Sequence, residues 1–126
     1  MAAAHEARIT LTPDRTSPRK ARAFLTVLLH EWGLTHLDDK ALLFASELVT
    51  NAVLHAHAAS TLIVCFDDEA LEIRVTDPDD SLPERLQPDP DAEAGRGLML
   101  VSTLADSWGV EPLENGGKAI WFRLRP

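Results

Sequence analysis

The run from about Lys40 to Ala56 constrains this chain more than any other. Its apolar residues recur with a helical period, so it reads as one long helix. Inside it Glu47, Asn51 and His55 stand at i, i+4 and i+8. Each step of four residues drifts about 40° around a helix, so the three side chains form one stripe. Leu42, Ala45, Val49, Ala52, Val53 and Ala56 read as the opposite face, the one that packs on a sheet. A carboxylate, an amide and an imidazole in line admit two readings. One is an ordinary solvated helix surface; the other is the polar wall of a ligand site. The stripe alone does not choose between them.

A chain of 126 residues suits one domain around one core. Twelve Lys and Arg against 20 Asp and Glu leave a net charge of −8. That argues against a protein that grips nucleic-acid phosphates and leaves a basic protein surface as the better-matched partner. Cys65 is the single cysteine, set in an apolar run, and reads as core filler. It can form no internal disulfide, which suits a reducing cytoplasm. No stretch approaches the roughly 18 apolar residues of a membrane span, and the start lacks the pattern of a secretion signal.

In chain order, residues 1–5 are expected to fray, and Ala7 to Leu11 alternates weakly, like an edge strand. Thr16-Ser17-Pro18 reads as a helix start with a hydroxyl cap and an early proline. Ala21, Phe24, Leu25, Leu28, Leu29 and Trp32 follow at helical spacing, and Gly33 ends the helix. Arg15, Arg19, Lys20 and Arg22 cluster on its outer face, at the unfavourable end of the helix dipole. Thr35 with Asp38 resembles a capping box for the long helix. Thr61 to Phe66 reads as a buried strand, Asp67-Asp68-Glu69 as a turn, and Leu71, Ile73 and Val75 as the inner face of a half-buried strand. From Asp77 to Ala94 prolines recur among acidic residues, which excludes a regular helix or strand; loops of this length are often lids. Gly95-Arg96-Gly97 opens another helix, where backbone N–H groups and the helix dipole suit an anion. A last hairpin turns at Glu114-Asn115-Gly116-Gly117 and points Ile120, Phe122 and Leu124 inward. Walker, dinucleotide, zinc-protease and nucleophile-elbow patterns are absent.

This order of elements and three of its motifs resemble the ATP-binding domain shared by gyrase, Hsp90, histidine kinases and MutL. Among these GHKL proteins, with their Bergerat fold, the chain most resembles the free-standing bacterial anti-sigma-factor serine/threonine kinases. Glu47-x-x-x-Asn51-x-x-x-His55-Ala56 resembles the N box. Asp77 stands where the adenine-binding aspartate closes a strand, and Gly95-Arg96-Gly97-Leu98 resembles the second glycine box. The resemblance spans about Thr16 to Arg125. It implies a two-layer α/β sandwich with a mixed, mostly antiparallel sheet and helices on one face, binding ATP and Mg²⁺.

By the same resemblance, Asn51 holds the metal and Glu47 is the general base. His55 supports the site or simply packs. Asp77 accepts from the adenine amino group. Gly95, Arg96, Gly97 and Leu98 bind phosphate, and residues 79–94 form the lid. The implied activity is transfer of phosphate to a small antagonist protein while a sigma factor is sequestered, in a possible homodimer. The alternative is a nucleotide-gated binding module without significant kinase activity. Two departures stand out: Asp77-Pro78-Asp79-Asp80-Ser81 lacks the glycines usual after the aspartate, and Gly117-Lys118-Ala119 lacks the threonine usual at the start of the last strand.

Overall fold

The computed structural model describes residues 4–56, 58–78, 101–114 and 116–126, apart from the side chains of 54–56. Strand β1 (His5–Leu11) leads into helix α1 (Ser17–Glu31), a 3-10 turn (Thr35–Leu37) and helix α2 (Asp38–Ala56). Strands β2 (Ser60–Phe66) and β3 (Leu71–Asp77) form a hairpin, and β4 (Ser107–Pro112) pairs with β5 (Lys118–Leu124) in another. Residues 101–104 are helical and run into β4. The sheet order is β1-β2-β3-β5-β4. All four ladders among the described residues are antiparallel, where a mixed sheet was expected. The two-layer α/β architecture is as the sequence implied.

Period-two alternation decides which side chains meet the helices. Leu62, Val64 and Phe66 on β2, Leu71, Ile73 and Val75 on β3, and Ile120, Phe122 and Leu124 on β5 are buried. Their neighbours along each strand point to the other face. There Glu72 bridges Arg74 at 3.3 Å and Arg123 at 2.9 Å, and Arg74 reaches Glu111 at 2.9 Å. Against the buried side lie α1, through Ala21, Leu25, Leu28 and Leu29, and α2. Phe44 of α2 meets Phe122 of β5 with ring centroids 5.3 Å apart, joining helix layer to sheet.

Helix α1 stops at Gly33, whose φ of +72° suits a residue without a Cβ. The Leu34 N–H donates to the Leu29 carbonyl at 2.8 Å and the Gly33 N–H to that of His30 at 3.3 Å, a Schellman pair that satisfies terminal carbonyls.

Several local expectations are corrected. Thr16 holds the cap position without a side-chain cap bond. Asp14 organises that turn instead, accepting from the Thr16 N–H at 2.8 Å and from the hydroxyls of Thr12 and Thr16. Those donors hold its carboxyl down at about 2. Thr35 opens the 3-10 turn rather than capping α2, whose first turn carries Asp38 and Asp39. His5, expected to fray, begins β1 and stacks on Trp32 and Phe66. Strand β2 is buried on one face only, with Cys65 half-buried on the other. The Cys65 thiol donates to Glu6 at 3.5 Å; burial, then the Glu6 carboxylate, push it up to about 11, so it is a thiol at neutral pH. The basic cluster on α1 is exposed, and Arg22 ties α1 to α2 by donating to the Ser46 hydroxyl at 3.0 Å.

Candidate functional site

Glu47 and Asn51 do not lie opposite the core; they sit along the flank of the buried face. Ala41, Phe44, Ala45, Leu48, Val49 and Ala52 are the buried side chains of α2, while Leu42 and Val53 only pack against that core from partial exposure. Two helical turns separate Phe44 from Asn51, so the two lie within about 20° of each other around the axis. Glu47, one turn earlier along the stripe, is about 40° further from the core. The burial follows: Glu47 is half-buried, and Asn51 is 5% exposed.

Asn51 is thus a polar side chain carried into the interlayer space by helical drift. Its Oδ1 is buried and, among the described residues, accepts no hydrogen bond. Leaving such an oxygen without a donor costs about 1–3 kcal/mol, a penalty that native structures rarely carry without a reason. Glu47, beside it, has its carboxyl raised above the ordinary range because burial penalises the charged form.

The second half of the candidate site comes from the sheet. Asp77 closes β3 in phase with Leu71, Ile73 and Val75, so it faces the same interlayer space as α2. Directly opposite in the ladder stands Lys118, the first residue of β5, in phase with Ile120 and Phe122. Their side chains form an ion pair at 3.2 Å, 2% exposed at Asp77 and 4% at Lys118. Gly117 sits against this corner with φ +85°; a Cβ there would come within 2.3 Å of the Asp77 carbonyl oxygen. The close approach that lets β5 start beside Asp77 therefore needs a glycine.

The sequence reading missed Lys118 as a partner of Asp77. A signal was present: a lysine in step with the inward Ile120, Phe122 and Leu124 is out of place on a core face unless something pairs it. The side chain of His55, the loop 79–94, and Gly95, Arg96, Gly97 and Leu98 lie outside the described residues. Among the described residues no group of three or more His, Cys, Asp or Glu side chains could hold a metal, and no helix is long and apolar enough to cross a membrane.

A buried carboxylate at the end of β3 and a buried amide oxygen on α2 thus face the same interlayer space. Over residues 9–124 the chain matches the histidine kinase-like ATPase domain, and it belongs to that family. Family membership implies ATP as the nucleotide. Among solved structures it is similar to the RsbU and RsbW domains of Rv1364c from Mycobacterium tuberculosis, at a TM-score of 0.73 and 23% identity. That match covers 96% of this chain and 32% of the other, so this chain spans about a third of that one's length. At this identity the likeness speaks for the fold. A comparison with curated proteins finds no match. The family read from the three motifs is borne out.

The donor set fits Mg-ATP. Magnesium takes hard oxygen ligands and usually keeps only one or two from protein, the rest being phosphate and water. The unpartnered Oδ1 of Asn51 is such an oxygen.

Proposed function

We propose that this chain binds Mg-ATP between α2 and the sheet and transfers the γ-phosphoryl group to a serine or threonine hydroxyl of a protein antagonist. The observation that carries the reading is the buried, unpartnered Oδ1 of Asn51 one turn from the desolvated carboxyl of Glu47. Bound Mg-ATP supplies the phosphoryl group and a metal that spreads its charge. Asn51 offers its amide oxygen to the metal. Glu47 accepts the hydroxyl proton as the oxygen attacks phosphorus; the bond to the β-phosphate oxygen breaks and ADP leaves. A carboxyl raised by burial is a stronger base than a solvated one, which suits that task. Asp77 accepts from the adenine amino group, a donor that guanine's keto oxygen cannot replace. Gly95, Arg96, Gly97 and Leu98 meet the phosphates, His55 supports the site or simply packs, and residues 79–94 close over the nucleotide.

Resemblance to anti-sigma-factor kinases, and the RsbW domain named in the similar structure, favour a sigma factor and its small antagonist as partners, with a homodimer as the assembly. The setting would be cytoplasmic. The test is transfer of labelled phosphate from ATP to candidate antagonists. Glu47→Ala is expected to abolish transfer while nucleotide still binds; retained transfer would remove Glu47 from the base role.

A second reading is favoured by one observation, the burial of the Asp77 and Lys118 pair beside Pro78. A base site this enclosed suits slow exchange, and so a nucleotide-gated binding module that turns over little. Under that reading labelled ATP binds, partner affinity changes, and nothing is transferred.

A further inference from the structure

The far end of α2 carries a second feature, which does not depend on the nucleotide reading. Thr26, Val27, His30 and Glu31 of α1, with Thr35 and Asp38 where the chain turns back into α2, line a groove of about 370 Å³. That volume is at the lower end of ligand clefts. Asp38 begins α2 and Asn51 lies more than three turns further on, so the two are about 20 Å apart along the helix axis. The groove is therefore separate from the proposed metal ligand.

Val27, His30 and Glu31 stand at i, i+3 and i+4 and so share one face of α1. Val27 is 56% exposed, the most open large apolar side chain among the described residues. The Thr26 hydroxyl donates to the Arg22 carbonyl at 2.7 Å, so that donor is already committed. The lining is mostly apolar, yet it holds two carboxylates. Neither Glu31 nor Asp38 has an ion-pair partner among the described residues. The Asp38 Oδ1 is also buried there with no hydrogen-bond donor. An oxygen in that state carries a penalty, and a soft rotation about χ2 exchanges it with its twin, so an incoming donor can relieve it.

Apolar lining beside unpaired carboxylates is the complement of an aliphatic stem that ends in a cation. Guanidinium suits it better than ammonium, because it is planar, weakly hydrated and has donors enough for two carboxylates. We propose that this groove receives an arginine side chain, flanked by apolar residues, from a basic partner protein. The net charge of −8 draws such a surface in from a distance. The groove gives that attraction a docking point and leaves the space beside Asn51 free to be filled at the same time.

The test is an NMR titration of the whole chain, read at the backbone amides, with the capped tripeptide leucine–arginine–leucine. Its control carries citrulline, a neutral side chain of the same shape, in place of arginine. The arginine peptide is expected to give saturable shifts confined to residues 26–38, with affinity about tenfold or more above that of the control. The double variant Glu31→Gln with Asp38→Asn should erase that difference while the rest of the amide spectrum stays in place. Should the variant fail to fold, the contrast between the two peptides on the unmodified chain still decides. Equal affinities, shifts spread over the acidic surface, or a difference that survives in the folded double variant would overturn the proposal. Butylguanidinium binding as tightly as the peptide would overturn the protein partner in favour of a small guanidine ligand.

Discussion

At Asn51 and Glu47 the roles proposed above and the stability of the fold would pull in opposite directions. The Asn51 amide oxygen is buried with no donor among the described residues, and an unmatched buried oxygen carries a penalty. Asn51→Leu should raise stability by about 1 kcal/mol in denaturant unfolding, by replacing an unmatched polar group with an apolar one of like size, and should lose Mg-ATP binding. Glu47 makes a pH-dependent contribution. Burial lifts its folded pKa above the unfolded value, so the folded chain holds the proton more tightly. The stability this gives is full at acid pH and is lost as pH rises through the folded pKa. Glu47→Gln carries no titrating proton, so its Tm should rise relative to the unmodified chain as pH climbs from acid toward neutral. A pH-independent difference would mean that Glu47 is solvated like any surface carboxylate.

At the scale of elements, turns and register hold the site. Gly33 and Gly117 both adopt positive φ, but only Gly117 faces backbone. Gly33→Ala has open space and should cost about 1 kcal/mol, the conformational penalty alone. Gly117→Ala would drive a Cβ to 2.3 Å from the Asp77 carbonyl oxygen, so β5 must shift. Chemical denaturation should show a larger loss, about 2 kcal/mol or more, with weakened nucleotide binding. Much of this level was legible in the sequence. Helical spacing gave α1 through Trp32 and the stop at Gly33, and alternation gave Leu71, Ile73 and Val75 as an inner face. What escaped it was non-local or finely angular. The polar stripe was set opposite the core, yet the drift that aligns Glu47, Asn51 and His55 also carries Asn51 round toward Phe44. The pairing of Lys118 with Asp77 depends on a ladder between strands 41 positions apart in sequence, which no local pattern displays.

For the whole molecule, the helix layer and the sheet must stay locked for the interlayer space to keep its shape. Phe44 and Phe122, in ring contact, are the two largest fully buried side chains among the described residues. Phe44→Ala should cost about 3–5 kcal/mol, enough to unfold a marginal domain, and thermal unfolding measures it. A protein of net charge −8 that binds a polyanionic nucleotide needs a local answer to that charge. Under the proposed function, a metal held by Asn51 would supply it. The most direct measurement is therefore a calorimetric titration with ATP, with and without Mg²⁺, on the unmodified chain and on Asn51→Ala. The account predicts saturable, Mg²⁺-dependent binding that Asn51→Ala abolishes in a folded protein. Binding of equal strength in the variant, or binding indifferent to Mg²⁺, would contradict it.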